Sequence, residues 1–179
     1  DRKADSFTVP NDAVAHGSTV RAYVTVMEGC DHVCSFCVVP RTRGPEVCRD
    51  PGQVVAEVAS LVARGFPEVM LLGQTVNAYA YGPVGFADLL ARVHGVPGLQ
   101  RLRFTTSHPE HVNAAMAGAF RDLPRLCPYL HLPVQSGSDA ILADMRRGYT
   151  RAQYLDTVAL LRDRRPDLAL SSDIIVGYP

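Results

Sequence analysis

Residues 22–37, AYVTVMEGCDHVCSFC, join a short β-rich run to a loop that holds three cysteines. The run at 22–27 combines β-branched and aromatic residues, as strands do. The loop at 28–37 places its cysteines at C-x3-C-x2-C spacing. So short a loop can wrap its sulfurs around one metal centre, whereas a disulfide would leave one thiol over. The stretch therefore predicts a metal-binding loop that follows a strand.

The composition is that of a globular protein with a substantial core. Of 179 residues, 47% are hydrophobic and 20% are charged, which argues against disorder. Eighteen basic side chains balance eighteen acidic ones. No overall field therefore draws the chain to nucleic acid or to an anionic membrane, and any RNA-binding patch must be local.

The sequence carries no signal for a membrane or for secretion. The first residues lack the apolar core of a signal peptide, and no run reaches the roughly 18 apolar residues of a membrane span. The five cysteines are an odd number and three are crowded, unlike the framework of a secreted disulfide protein. We expect a cytoplasmic monomer that makes no membrane contact.

Apolar runs of strand type alternate with amphipathic stretches along the chain. The strand candidates are residues 22–27, 68–74, 102–107, 129–134 and 168–177. The helix candidates are residues 51–65, 85–95, 109–120, 138–148 and 150–165. Pro51 stands where the first of these helices begins and Gly65 where it ends. Ser138 and Thr150 are plausible N-caps. The pattern is βα, repeated five times.

Such alternation implies parallel strands with right-handed crossovers, in either a doubly wound sheet or a segment of a barrel. Both architectures place function at the C-terminal ends of the strands. Polar segments follow four of the strands, namely MEGC, GQTVNAY, TSHPE and QSGSD. We interpret residues 20–179 as one domain and residues 1–19 as a lead-in segment.

The cysteine spacing alone leaves two metals open. Cys48 lies eleven residues after Cys37 and could complete a four-thiolate zinc site, and His32 sits inside the loop. A 4Fe-4S cluster on three cysteines instead has one iron without a protein ligand, which can bind a small molecule bearing an amine and a carboxylate. The position of the loop after the first strand favours a catalytic centre over a structural one.

Cys30-x3-Cys34-x2-Cys37, with Phe36 before the last cysteine, resembles the signature of radical S-adenosylmethionine (SAM) enzymes. More narrowly, five segments resemble the central domain of the MiaB-type tRNA methylthiotransferases. These are GCDHVCSFCVVPRTRG, LLGQTVNAY, RFTTSHP, YLHLPVQSGSD and SSDIIVGYP. The resemblance spans residues 20–179, which is nearly the whole chain.

The resemblance implies an α/β fold, a partial (βα)6 TIM-like barrel of parallel strands that ends before the sixth βα unit. It also implies that the three loop cysteines hold a 4Fe-4S cluster whose open iron binds SAM. Full-length relatives add an N-terminal domain with an auxiliary 4Fe-4S cluster and a C-terminal TRAM domain that binds RNA. We expect neither domain within this chain, which alone would not complete the reaction.

The implied activity is a methylthiotransferase reaction at C2 of N6-isopentenyl-adenosine beside the anticodon of tRNA. Two SAM molecules are used, one for the methyl group and one for the radical. The implied partners are the tRNA anticodon loop and an electron donor such as flavodoxin or ferredoxin. Related enzymes modify a ribosomal protein or N6-threonylcarbamoyl-adenosine, and GQTVNAY favours the isopentenyl-adenosine type over these.

Further residues receive expected cofactor roles from the resemblance. Gly73 and Gln74 end the second strand, where the radical enzymes place a segment that meets the amino group of SAM. Gln135 and Ser136 are additional candidates, because the helix cap at Ser138 does not require them.

Two charged residues complete the expected SAM site. Arg147 could pair bidentately with the carboxylate of SAM, and Asp173 could accept a hydrogen bond from its ribose. His108 is a weaker candidate with no assigned partner. Cys48 and Cys127 match no ligand position and are expected to be structural.

Three arginines after the loop, Arg41, Arg43 and Arg49, could bind tRNA phosphates near the reacting base. A rival from another class is a zinc-stabilised RNA-binding module without catalysis. In that module the three loop cysteines and Cys48 would hold the zinc, and the same arginines would bind phosphate.

Overall fold

The computed structural model describes residues 19–179, so most of the predicted lead-in segment lies outside the described residues. The strands are β1 (Arg21–Thr25), β2 (Met27–Glu28), β3 (Val47–Cys48), β4 (Glu68–Leu72), β5 (Ala80–Tyr81), β6 (Val84–Gly85), β7 (Arg101–Phe104), β8 (Tyr129–His131) and β9 (Ala169–Ser171). The helices are α1 (Val39–Arg43), α2 (Pro51–Ala63), α3 (Phe86–His94), α4 (Ala114–Asp122), α5 (Asp139–Asp144) and α6 (Arg151–Arg164), with short 3-10 turns at Val76–Ala78 and Pro109–His111. Within the described range, every helix is too short or too polar to span a bilayer.

The main strands run parallel, as the sequence predicts. β1, β4 and β7 form one sheet in that order, and β8 pairs with β9. A single bridge from Leu102 to Leu126 and a hydrogen bond from the Ser107 amide to the His131 carbonyl (3.2 Å) connect the two sheets. Five parallel strands therefore follow one another in chain order, and their C-terminal ends lie on one side.

One face of the three-stranded sheet is buried, and the other is partly exposed to solvent. Side chains alternate along a strand, so register places Ala22, Val69 and Leu102 in one buried row. A second buried row is Val24, Leu71 and Phe104. Both rows belong to one core with the apolar sides of α2, α3 and α4. Tyr23, on the other face, is 39% exposed.

Local sequence signals set the predicted helix ends. The Asp50 carboxylate accepts the Gln53 amide to cap α2, and Pro51 occupies the first turn. Gly65, just beyond the helix, has φ +97°. Ser138 and Thr150 cap α5 and α6 as predicted.

One predicted helix begins later than its apolar spacing indicates. The apolar spacing predicts one helix over residues 109–120, but residues 109–111 form a 3-10 turn and α4 begins at Ala114. The Asn113 side chain accepts the Met116 amide and thereby sets the helix start.

The strands are shorter than predicted at their C-terminal ends. β4 ends at Leu72 and β7 at Phe104, because beyond them the Thr105 hydroxyl hydrogen-bonds both the amide and the carbonyl of Gly73. β8 ends before Pro133, which has no amide to donate. The freed segments carry the polar side chains of the site.

A buried carboxylate joins the opposite, N-terminal ends of the three-stranded sheet. Glu68 of β4 is 4% exposed and binds Arg21 of β1, Arg101 (2.6 Å) and Arg103 (3.3 Å) of β7. Burial alone would raise the pKa of Glu68, but its hydrogen bonds to Arg101 and Arg21 outweigh burial and lower that pKa. The carboxylate is therefore charged and holds three strands in register.

We predict that Glu68→Gln lowers the free energy of unfolding by about 1.5–3 kcal/mol at neutral pH, the range for hydrogen bonds to charged groups. A folded-state pKa below the ordinary value of 4.5 stabilises the fold above that value, and this stability is lost as the pH falls through the lowered pKa. The difference in the free energy of unfolding between wild type and Glu68→Gln should therefore decrease in acid. Urea unfolding at several pH values would measure it.

Asp163→Asn is the matched control, because the Asp163 side chain is 72% exposed. This substitution should change the free energy of unfolding by less than about 0.5 kcal/mol. A stability difference between wild type and Glu68→Gln that is the same at neutral and acidic pH would contradict this account.

Candidate functional site

The cysteine loop (residues 28–37) lies at the C-terminal end of β1 and turns its thiols inward. Cys30 and Cys34 are 9% and 8% exposed, and Cys37 is half-buried. The Cys37 amide donates to the Cys34 carbonyl (3.0 Å), which closes a tight turn between these two cysteines. All three line one inner cavity of about 160 Å³. The fold therefore brings the three predicted ligands together.

The start of the loop is fixed to the end of β4. The Gly29 amide donates to Gln74 Oε1 (2.7 Å), and the Cys30 amide donates to the Gly44 carbonyl (3.1 Å). The Cys30 thiol lies 3.3 Å from the buried hydroxyl of Thr75. Gln74 and Thr75 thus position the first cysteine.

The second half of the loop is fixed to the end of α5. The Ser35 amide donates to the Met145 carbonyl (3.2 Å), and its hydroxyl donates to the Asp144 carbonyl (2.9 Å). The Ser35 hydroxyl also lies 2.6 Å from the Tyr178 hydroxyl. The middle of the loop is therefore held between α5 and the last described residues.

Two cavities meet at the loop. The inner cavity is lined mainly by segments that follow several strands, and an outer cavity of about 570 Å³ lies against the loop and α1. Cys34, Phe36 and Cys37 line both. The outer cavity falls within the usual range for small-molecule sites, roughly 300–1,000 Å³.

The inner cavity gathers half of the residues expected to meet SAM. Gln74, Gln135 and Arg147 line it beside the cysteines. Gln135 adopts φ +69°, an uncommon conformation for a residue other than glycine. Such backbone conformations concentrate at functional sites, because the surrounding structure has to hold them.

The other three expected SAM residues do not line this cavity. Gly73 is enclosed by the Thr105 hydroxyl and by Met27, whose Cγ would lie 2.6 Å from an added Cβ. The Ser136 hydroxyl accepts the amide of Ser138 (3.2 Å), a local turn contact.

Asp173 also lies away from the inner cavity. Its carboxylate is 3.2 Å from His131 Nε2, and the other nitrogen of that ring is 2.8 Å from the Thr106 hydroxyl. The Asp173 side chain is 61% exposed. The roles of Gly73, Ser136 and Asp173 toward SAM remain predictions.

Two buried polar atoms in the inner cavity have no partner within the described residues. They are Ser107 Oγ and His108 Nε2, and both side chains come from the segment after β7. His108 Nδ1 already accepts the Glu110 amide (3.3 Å). Orphaned buried polar atoms are costly, so the cavity is suited to a polar ligand.

His32, His108 and His111 form a histidine group beside the inner cavity. The His32 and His108 rings stack at 4.0 Å, and His32 Nε2 lies 2.9 Å from His111 Nε2. Ligand atoms of all three lie within 4.8 Å of one another, a spacing that suits a metal. Two stacked parallel rings cannot both direct a ring nitrogen in plane at one ion, however, and Arg147 adds positive charge nearby.

Burial disfavours the charged forms of His32 and His108. Burial, followed by the charge of Arg147, lowers the pKa of His108 to about 2. Burial, followed by His111, also lowers the pKa of His32. His108 is therefore neutral at physiological pH, and the ring nitrogen that faces the cavity carries its proton.

Sequence reasoning missed Thr75, Ser107, Tyr149 and Arg146. Thr75 directly follows the predicted Gln74, and Ser107 precedes His108, so their position after a strand was an available signal. Tyr149 became evident only from its contact with Arg147.

Cys48 and Cys127 are not part of the cysteine-lined cavity. The Cys48 sulfur accepts the Ala80 amide (3.4 Å), and burial raises the pKa of the Cys48 thiol. Burial likewise raises the pKa of the Cys127 thiol. Both environments favour the protonated thiol over the thiolate that binds metal.

The three arginines predicted to bind phosphate separate into two sets. Arg41 and Arg43 are exposed, and Arg41 lines the outer cavity. Arg49 instead binds Glu57 (2.6 Å) and the Thr25 carbonyl (2.8 Å), with a side chain only 10% exposed. This placement argues against Arg49 as a phosphate ligand. Arg146, exposed and with φ +57°, faces the outer cavity with Arg41.

Solved structures share this fold. Over 88% of this chain and 31% of the other, the structure is similar to the radical SAM methyltransferase TsrM from Kitasatospora setae, at 22% identity and TM-score 0.70. It is also similar to the cobalamin-dependent radical SAM enzyme OxsB, over 86% and 23% of the two chains, at 16% identity and TM-score 0.67. The predicted α/β fold of radical SAM type is thereby confirmed.

Curated proteins that match by sequence have a higher identity to this chain than these solved structures. The chain is 57% identical over 158 residues to tRNA-2-methylthio-N(6)-dimethylallyladenosine synthase from Anaeromyxobacter sp. (strain Fw109-5), covering 88% of this chain and 34% of that protein. The enzyme of the same name from Myxococcus xanthus (strain DK1622) is 55% identical over 160 residues, with 89% and 34% covered. The chain thus spans about a third of the length of the curated relatives it matches.

The sequence model of the Radical SAM superfamily matches residues 24–179, from β1 through the cysteine loop to β9 and beyond. This confirms the predicted family. The chain belongs to the radical SAM superfamily.

Proposed function

We propose that this chain is the radical SAM core of a tRNA methylthiotransferase that modifies C2 of N6-isopentenyl-adenosine beside the anticodon. One observation carries the proposal: three cysteines of one loop line a single cavity at the C-terminal ends of parallel strands, and Cys48 is not among them. The names of the relatives, which are 49–57% identical, supply the substrate.

The residues of the inner cavity fit a 4Fe-4S cluster and SAM. The three loop cysteines line this one cavity, and two orphaned polar atoms and a buried guanidinium lie beside them. An amino acid moiety needs such polar partners. When bound, the cluster supplies the electron that cleaves SAM.

Several side chains of the inner cavity would hold these cofactors. Cys30, Cys34 and Cys37 would ligate iron, and Gln74 and Thr75 position the first of them. His108 and Ser107 can satisfy their unpaired atoms on a polar ligand.

The outer cavity suits a nucleotide. Its wall combines apolar side chains, including the exposed Val33 and Val38, with the guanidinium groups of Arg41 and Arg146. Apolar and aromatic surface accepts an unstacked base, and guanidinium groups bind phosphate. We therefore place Arg41, Arg43 and Arg146 on the tRNA side of the proposed site and leave out Arg49.

The whole enzyme would need more than this chain. An auxiliary 4Fe-4S cluster, a TRAM domain and an electron donor such as flavodoxin or ferredoxin belong to the proposal. We propose that the enzyme works in the cytoplasm, where its tRNA substrate and a reducing environment coincide.

The metal content of the chain distinguishes an iron-sulfur cluster from a zinc site. After anaerobic reconstitution with iron, sulfide and zinc together, the chain should bind about four irons, and Cys48→Ser should bind as many, whereas Cys34→Ser should lose most of them. Cys127→Ser is the control for loss of any thiol. One zinc per chain that disappears in Cys48→Ser would favour the zinc-binding RNA module instead.

The modified nucleosides of tRNA identify the substrate. If Cys34 is replaced by serine in the intact protein of its source organism, the 2-methylthio form of N6-isopentenyl-adenosine should disappear and the unmodified form should accumulate. Mass spectrometry of digested tRNA measures both nucleosides. Loss of methylthiolated threonylcarbamoyl-adenosine, or of a modification on a ribosomal protein, would instead assign the alternative substrates.

The salt dependence of tRNA binding tests whether the arginines of the outer cavity contact RNA. The double variant Arg41→Ala/Arg146→Ala should bind tRNA more weakly and should reduce the salt dependence of binding by about two counterions. Arg162→Ala, exposed on α6, is the control. Equal salt slopes for the double variant and wild type would remove these arginines from the interface.

A further inference from the structure

Arg147 is a buried cation that contacts one of the cluster-binding cysteines. It is 6% exposed and lines the inner cavity. Its Nη1 donates to the Cys34 sulfur at 3.3 Å, and its Nε donates to the Tyr149 hydroxyl at 3.0 Å. No carboxylate lies within ion-pair distance of Arg147 in residues 19–179. Its charge is therefore directed at the cysteine loop.

Tyr149 fixes the direction of this guanidinium. The Tyr149 hydroxyl lies 3.2 Å and 3.0 Å from the carbonyls of Pro133 and Val134, beyond the end of β8. The guanidinium carbon lies 5.2 Å from the centre of the Tyr149 ring, a cation-π contact. Both contacts hold the arginine against rotation away from Cys34.

The backbone fixes the separation between the arginine and the loop. Ser35, next to Cys34, binds the carbonyls of Asp144 and Met145, and the Arg147 amide donates to the Leu142 carbonyl (3.0 Å). The end of α5 therefore carries both the anchor of the loop and the arginine. The contact between Arg147 and Cys34 is part of this rigid arrangement.

A cation at this place would favour the reduced form of a cluster held by the loop cysteines. One-electron reduction adds negative charge, which a charge-assisted hydrogen bond to a cysteine ligand stabilises. The effect is strong here because Arg147 is buried, so water screens its charge little. The neighbouring His108 is neutral and does not share this role.

We propose that Arg147, held by Tyr149, is a positioning residue that raises the reduction potential of the 4Fe-4S cluster through its hydrogen bond to Cys34. The proposal rests on the proposed function, because it requires a cluster on the three loop cysteines. It differs from the role expected from the sequence, which was pairing with the carboxylate of SAM.

The test is the midpoint potential of the reconstituted chain, followed by electron paramagnetic resonance during a redox titration. SAM is left out, so that a lost contact with SAM cannot contribute. Arg147→Gln should shift the potential downward by at least a tenfold change in the reduction equilibrium, about 59 mV for one electron. Tyr149→Phe should shift it in the same direction by less. Arg151→Gln, exposed on α6, should leave it unchanged.

Iron content separates the possible outcomes. Full iron content with an unchanged potential in Arg147→Gln would overturn the proposal and leave the proposed function intact. Wild-type protein that binds no iron would overturn both. If Arg147→Gln assembles no cluster, Tyr149→Phe decides: a lower potential supports the proposal, and an unchanged potential overturns it.

Discussion

The cysteine loop enters the site through a backbone contact that only glycine permits. At Gly29, φ is +78°, and an added Cβ would lie 2.0 Å from the Pro45 carbonyl oxygen. The close approach lets Cys30 bond to the Gly44 carbonyl and lets Gln74 accept the Gly29 amide. These two hydrogen bonds fix Gly29 and Cys30, and the Cys30 side chain is buried. The inner cavity depends on this position of Cys30.

The two ends of the parallel strands differ in how their buried charged side chains are paired. At the N-terminal end, Glu68 offsets Arg21, Arg101 and Arg103, so its ion pairs serve the register of the sheet. At the C-terminal end, Arg147 is buried among neutral groups and next to thiols. At one end a buried carboxylate has guanidinium partners, whereas at the other a buried guanidinium without a carboxylate partner in the described part of the chain acts on whatever binds beside it. This contrast agrees with the general location of function in folds of parallel strands.

Exposure decides which arginines can reach RNA. Arg41, Arg43 and Arg49 are hard to distinguish in the sequence, because all three follow the cysteine loop on the same stretch of chain. In the fold, Arg49 is drawn to Glu57, which α2 brings alongside. Arg146 lies far away in sequence but faces the outer cavity with Arg41. Charge along a sequence therefore indicates a basic surface only when no carboxylate from another element lies within reach.

The sequence by itself determined the βα order, the helix caps at Ser138 and Thr150, and the three cysteines as one group. These features depend on hydrophobic periodicity and on contacts within a few residues, which a sequence displays directly. Only the tertiary structure decided that Cys48 faces Ala80, and that Arg147 meets Cys34 across 113 positions. Such contacts depend on how separate strands and loops pack, and no local pattern encodes that packing.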